Sequence, residues 1–360
     1  MFRIVNKGKE NCMLNLRFLS VLQCKWKVPP DLQDVLHHQQ SDTNKPWLSK
    51  EFVNTKGDGR YSSDEVVAII LDYNKPQLTN LCLLTLFSFN DVKVIVVNNG
   101  SARREQYATG IPYELICNPK GRSFSSGMNE GASTALKMSP NYLIFLNNDA
   151  LVTKDAIRLL IRVFHKDSRL AMVGPNSQYS AKKGLKMISS ISNTIQSFTS
   201  VSTEPIVKRK EKLTGFCLCV RANVFQEIGG FDESFVFGRE DDDLSLRIIK
   251  RNYSIAEVEN AVVYHTPNTS TDFGSSDEMF FLIYNMARGS GLIAQKYGMN
   301  LGYNMFLELM SSTRTILKAL LLGKKFHWKY LLWTINGFKA GYAPAVEPVH
   351  SQKLDNYTEK

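Results

Sequence analysis

Three apolar, β-branched runs constrain this chain more than any other feature. They are Val66-Val67-Ala68-Ile69-Ile70-Leu71, Val92-Lys93-Val94-Ile95-Val96-Val97 and Tyr142-Leu143-Ile144-Phe145-Leu146. A strand with one wet face alternates polar and apolar residues; these runs do not, so they predict strands buried on both faces. Pro76 opens a helical stretch over 76–89, in the position where proline starts helices. Residues 113–117 read as a short third strand, and a glycine-bearing loop leads into a helix over 128–138. Strands alternating with helices imply right-handed βαβ units, hence an α/β fold with a mainly parallel sheet flanked by helices. Ligands of such sheets bind at the carboxyl ends of strands. The polar clusters Asp72/Asn74, 98–101 and 147–149 all fall there.

The second half is less regular. Residues 213–220 read as a strand, followed by the turn Gly229-Gly230-Phe231-Asp232, a charged helix over 240–250, and strands near 253–258 and 261–265. Three helical stretches close the chain, over 278–296, 303–322 and 326–340. These patterns divide the sequence into an appendage over 1–62, partly disordered, a catalytic domain over 63–275, a helical region over 276–345 and a tail over 346–360. His37 and His38 lie in the polar appendage with no further ligands beside them, which suits a solvated loop better than a metal site.

Charge and cysteine narrow the function class. The net charge of +10 favours polyanionic partners, among them nucleic acid, nucleotide phosphates and anionic membranes. Nucleic acid is disfavoured because the basic residues are dispersed and no recognition-helix or RNP-like pattern occurs. No GxGxxG follows the first strand and no GxxxxGK[ST] occurs, so neither a dinucleotide fold nor a P-loop is supported. None of the six cysteines forms a CxxC pair. Cys217 and Cys219, two apart on one strand face, predict reduced thiols rather than a disulfide. With no apolar h-region at the start and no apolar run of membrane-spanning length, a cytoplasmic location is expected.

Four ordered segments resemble a known family. They are VVAIILDYN (66–74), VIVVNNGS (94–101), NPKGRSFSSGMNEGASTALKMSPNYLIFLNND (118–149), and the stretch 214–265 containing TGFCLCVRANVFQEIGGFDESF, EDDDLSLR and VVYH. Together they resemble a family 2 glycosyltransferase of GT-A fold, nearest the bacterial rhamnosyltransferase-like branch. The resemblance spans roughly residues 64–270 and implies transfer of a sugar from a nucleoside diphosphate donor, dTDP-rhamnose or a UDP-sugar, to a glycan or lipid-linked glycan hydroxyl with inversion.

That resemblance also implies roles. Asp149 closes Asn147-Asn148-Asp149 where the family's metal-binding D-x-D-like motif ends, and His265 matches a second ligand of Mn²⁺ or Mg²⁺. Asp149 as a helix cap is the alternative, although Thr153 is better placed to cap. Asp241, after Glu240 in EDDDLSLR, matches the general base, kept ionised by the helix amino terminus. Asp243 and Arg247, spaced i,i+4, pair architecturally. Asp72, Tyr73, Asn74, Asn98 and Asn99 match the wall that holds base and ribose. Arg122, Gly127, Asn129, Asn148, Gly215 and Glu240 complete the donor pocket. Two departures stand out: the family usually carries Asn at 72 and Asp at 98. Those departures and the single carboxylate of 147–149 leave an inactive nucleotide-sugar-binding or scaffold protein as the rival reading.

The helical tail carries most of the excess charge. Residues 296–340 hold seven Lys or Arg against the single Glu308, beside many Leu, Phe, Tyr and Trp. Such a mixture suits either peripheral attachment to anionic lipid or packing on the catalytic domain.

Overall fold

The computed structural model describes residues 66–89, 92–100, 103–107, 112–119, 121–153, 155–176, 204–265, 276–321 and 329–343. The expected appendage over 1–62 with its histidine pair, Ser101 and the tail over 346–360 lie outside the described residues.

The first half follows the expected alternation: β1 (Val66–Asp72), α1 (Pro76–Phe89), β2 (Lys93–Asn98), β3 (Glu114–Cys117), α2 (Phe124–Leu136) and β4 (Tyr142–Asn147). Every residue of β1 is buried, as its unbroken apolar run requires. Helix α2 starts four residues before its apolar periodicity does. Ser123 fixes that start, its Oγ accepting a hydrogen bond from the Ser126 N–H at 3.1 Å.

Beyond β4 come β5 (Ala150–Val152), α3 (Ala156–Lys166), β6 (Leu170–Pro175) and β7 (Val207–Lys210), which the sequence reading did not separate. Asp155, not Thr153, occupies the cap position of α3; the Thr153 hydroxyl donates to the Val262 carbonyl at 2.8 Å. Next are β8 (Cys217–Arg221), α4 (Ala222–Glu227), α5 (Glu240–Lys250), β9 (Ser254–Val258) and β10 (Val263–His265). The strand expected over 213–220 pairs only from Cys217 onward, and 213–216 instead run past the start of α5.

Eight strands form one sheet in the order β3-β2-β1-β4-β8-β6-β9-β7, and β10 pairs with β5 in a separate two-stranded ribbon. The β1–β2, β1–β4, β2–β3 and β6–β9 pairs are parallel, while β8 runs antiparallel to both β4 and β6, and β7 to β9. The sheet is therefore mixed, with its parallel half at the expected binding edge. Alternate residues of β1 serve opposite cores. Val66, Ala68 and Ile70 join Cys217 and Cys219 on one face; Val67, Ile69 and Leu71 meet Met128 and Ala132 of α2 on the other. Register aligns the strand ends, with Asp72 opposite Asn98 and Leu71 opposite Asn147. Gly127 lets α2 sit close: a β-carbon there would stand 2.7 Å from Leu71 Cδ1.

The tail forms α6 (Ser276–Lys296), α7 (Leu301–Leu321) and α8 (Lys329–Tyr342). Helices α6 and α8 touch backbone to backbone around Phe338, which is fully buried. A β-carbon at Gly337 or Gly341 would land on the carbonyl oxygens of Tyr284 or Arg288. Spacing two glycines four apart on α8 thus permits a close crossing more usual in membranes. No helix among the described residues is long and apolar enough to cross a membrane.

This contact is testable. Gly341→Leu is expected to destabilise the chain by about 1–3 kcal/mol in chemical denaturation, because backbone cannot yield as a side chain can. Gly302→Ala, whose added methyl meets only Asn300 Oδ1 at 3.6 Å, is expected to be neutral or slightly stabilising.

Candidate active site

The carboxyl end of β1 is organised by a buried acid. Asp72 is fully enclosed and its two oxygens accept four hydrogen bonds. Oδ1 receives Thr79 Oγ1 at 2.8 Å, Asn148 Nδ2 at 2.9 Å and the Lys75 N–H at 3.2 Å; Oδ2 receives Tyr107 OH at 2.6 Å. Burial, reinforced by the Asp72 charge, holds the Tyr107 phenol in its protonated, donating form. Asp72 therefore faces its own scaffold and fixes Asn148. Tyr73, 60% exposed, and Asn74, in the left-handed region with φ of 55°, are the residues of this segment that face outward.

The end of β2 anchors the following loop. Asn99 uses both ends of its amide on Arg122: Nδ2 donates to the carbonyl at 2.7 Å and Oδ1 accepts from the N–H at 2.9 Å. Asn98 Oδ1 accepts from the Gly100 N–H at 3.3 Å. The Arg122 guanidinium, half exposed, stands 3.6 Å from Glu130. Asn129 works elsewhere: its amide grips both the N–H and the carbonyl of Phe231, 2.9 Å each way, tying α2 to the Gly229–Asp232 turn.

A second group assembles where β4 gives way to β5. Asp149 lies in that turn, and the β5–β10 register sets His265 opposite Ala150, the next residue. His265 Nε2 stands 3.2 Å from Asp149 Oδ1, and the imidazole stacks on Phe216 with centroids 4.8 Å apart. These donors suit a divalent cation. Two ligands at right angles around one ion, each about 2.1 Å away, lie about 3 Å apart. One carboxylate oxygen and one imidazole nitrogen at 3.2 Å match that spacing. Among the described residues no group of three or more His, Cys, Asp or Glu side chains gathers around one point.

The acid cluster completes the picture. Asp241, in the first turn of α5, is held by two backbone donors. Gly215 N–H reaches Oδ2 at 2.8 Å and Asp242 N–H reaches Oδ1 at 3.0 Å. A β-carbon on Gly215 would stand 3.1 Å from that same Oδ2, so only glycine allows the approach without strain. Burial, with the neighbouring Asp242 charge, pushes the Asp241 carboxyl above the usual range, while the backbone donors from Gly215 and the helix start act the other way. Glu240 is more enclosed. Among the described residues its Oε2 has no hydrogen-bond partner, and burial, with Asp241 beside it, pushes it up to about 8.

Gly215 and Phe216 join the two groups: the first binds Asp241, and the second stacks on His265 and accepts the Asn147 N–H at 2.9 Å. Asp149, His265, Gly215 and Asp241 thus form one connected chain of contacts, while Asn129 lies outside it.

Two supporting networks escaped the sequence reading. Arg239, in the left-handed region at φ of 71°, precedes α5. It reaches Asp242 at 3.2 Å, Ser290 Oγ of α6 at 3.0 Å and Glu308 of α7 at 3.3 Å. Asp243, fully buried, accepts from Arg247 Nε at 2.7 Å as expected, and also from Lys296 Nζ at 2.7 Å and Tyr297 OH at 2.9 Å. The Gly238-Arg239 pair directly before four acids was the available signal for the first. Nothing local signals the second, because Lys296 lies over fifty residues away in sequence.

Comparison with known proteins gives the family. The family model described as "Glycosyltransferase like family 2" matches residues 69–291. The low-salt glycan biosynthesis hexosyltransferase Agl10 of Haloferax volcanii is 22% identical over 244 residues, covering 65% of this chain and 78% of that protein. Among solved structures, GalNAc-T7 with UDP, GalNAc and Mn²⁺ matches at 14% identity and a TM-score of 0.48; it covers 76% of this chain, which spans only 55% of that one. The mannosyltransferase PcManGT from Pyrobaculum calidifontis, in complex with GDP-Man and Mn²⁺, matches at 14% identity and a TM-score of 0.48, over 86% of this chain and 93% of its own.

The buried Glu240 has a measurable signature. An unfolded glutamate titrates near 4.3, whereas in the fold this one titrates at about 8. Between those values the folded chain keeps a proton that the unfolded chain releases, so stability falls as pH rises through that window. Glu240→Gln is expected to show a smaller drop in Tm between pH 5 and pH 8 than the wild type; an equal drop contradicts this burial.

Proposed function

The chain belongs to glycosyltransferase-like family 2 and is a glycosyltransferase of GT-A architecture, and on that premise we propose an inverting, cation-dependent transfer. The donor is a nucleoside diphosphate sugar, dTDP-rhamnose or a UDP-sugar, and the acceptor is a hydroxyl of a glycan or lipid-linked glycan. The observation that carries this reading is the connection of Asp241 to Asp149 and His265 through consecutive residues Gly215 and Phe216.

Asp241 acts as general base. Its carboxylate takes the proton of the acceptor hydroxyl while that oxygen bonds to the anomeric carbon. The bond from the anomeric carbon to the diphosphate oxygen breaks on the opposite face, which inverts configuration. The Gly215 and Asp242 N–H groups keep the carboxylate from rotating away. Its raised pKa makes it a stronger base than an exposed aspartate once ionised.

Asp149 and His265 would hold a Mn²⁺ or Mg²⁺ ion, which supplies neutralisation of the leaving diphosphate when bound. Tyr73 and Asn74, the outward residues at the end of β1, meet the nucleotide base and ribose, while buried Asn98 and Asn99 at the end of β2 brace that wall from behind. Asp72 serves this wall by orienting Asn148. Arg122 faces the phosphates from a loop whose backbone Asn99 fixes. The similarity to Agl10, a glycan biosynthesis hexosyltransferase, supports a glycan acceptor.

Two variants separate the parts. Asp241→Asn is expected to lower kcat by about 10²–10⁴-fold with the donor KM little changed, measured by release of nucleoside diphosphate. Equal turnover in the two proteins removes Asp241 from this role. His265→Ala is expected to raise the Mn²⁺ concentration needed for half-maximal rate, and an unchanged requirement counts against ligation. The acid limb of the kcat/KM profile is expected above the ordinary aspartate range, following the raised Asp241 carboxyl.

A further inference from the structure

We infer that helix α7 docks on the surface of an anionic lipid bilayer through the stripe Tyr303, Phe306, Leu307, Met310 and Arg314. Successive spacings of three, one, three and four place these residues on one face of the helix. All are exposed, Tyr303 at 62%, Phe306 at 57%, Leu307 at 45% and Met310 at 41%. Large apolar side chains aligned in this way mark a surface that another phase or partner covers.

The opposite face of α7 already has its contacts. Glu308 accepts from Ser290 Oγ at 2.7 Å and from Arg239 at 3.3 Å, and Ser312 lies 3.0 Å from Thr334 of α8. The helix is therefore fixed to the body of the protein by one side, with the apolar stripe turned outward. Its one acid faces inward, so the outward face carries Arg314 with no carboxylate to offset it. Leaving out Lys296, which is paired with Asp232 and Asp243, the sequence over 297–340 holds six Lys or Arg against Glu308.

Charge selects the occupant. A second copy packed across a two-fold axis would set this cationic segment against itself, and no acid on the face relieves that repulsion. Anionic headgroups complement it, while the aromatic and aliphatic side chains enter the boundary between headgroups and acyl chains. The binding is interfacial, since no described helix can span the bilayer. It does not depend on the chemistry proposed for the cleft.

Vesicle co-sedimentation of the full chain tests this. The wild type is expected to sediment with vesicles of equal parts phosphatidylglycerol and phosphatidylcholine, and not with pure phosphatidylcholine, with binding weakened by added salt. The double variant Phe306→Ser/Met310→Ser, with Tm and donor turnover at the wild-type level, is expected to lose about tenfold or more in partitioning. No sedimentation of the wild type, or equal sedimentation of the variant, overturns the proposal. Equal binding to neutral vesicles overturns the anionic assignment. A wild-type dimer in light scattering that the variant converts to monomer assigns the stripe to a second copy and overturns it as well.

Discussion

Two consecutive residues, Gly215 and Phe216, hold the cleft together. The N–H of the first grips Asp241 and the ring of the second stacks on His265, itself 3.2 Å from Asp149. These groups come from the β4–β5 turn, the end of β10 and the start of α5, far apart in sequence. Without the dipeptide between them, the acid at the helix start and the pair at the ribbon would have no common frame. Glycine at 215 leaves room for the Asp241 carboxylate, since a β-carbon there would press on it at 3.1 Å, and an aromatic at 216 gives the imidazole a flat surface to rest on. The proposed chemistry asks for a base on one side of a sugar and charge neutralisation on the other, and this link fixes their separation.

The tail helices belong to the same frame. Arg239 stands in a left-handed conformation that costs about 1–2 kcal/mol for a non-glycine residue, and its bonds to Asp242, Ser290 and Glu308 hold it there. Asp243, fully buried in the same first turn of α5 as the other acids, is bonded by Lys296 and Tyr297 at the end of α6. A buried carboxylate needs such partners to remain charged. The catalytic helix therefore rests on the C-terminal region as much as on the sheet. A bilayer-docked α7 would sit one ion pair from the acid cluster.

Much of this was legible in the sequence. Continuous apolar runs announced β1, β2 and β4, Pro76 marked the start of α1, and the charge pattern gave the bounds of α5. Helix α2 began early because a serine cap, not hydrophobic periodicity, decides where the first turn forms. The strand expected over 213–220 was too long because apolar character alone does not separate pairing residues from those that pass under a helix. Segment 150–175 stayed unresolved because β5 is three residues long and pairs with β10, more than a hundred positions away. Among site residues, the family resemblance pointed to Asp149, His265, Asp241 and Gly215, which the fold connects. Local pattern could not reveal that Asp72 is saturated by four donors, or that Asn129 is spent on the Phe231 backbone. Such facts depend on tertiary partners.

The most direct test is an anomalous-scattering map from a crystal grown with Mn²⁺ and a nucleoside diphosphate. The account predicts a manganese peak within bonding distance of both Asp149 Oδ1 and His265 Nε2, with the diphosphate between it and the Asp241 side of the cleft. A peak bound elsewhere, with the nucleotide remote from Gly215 and Phe216, would contradict it.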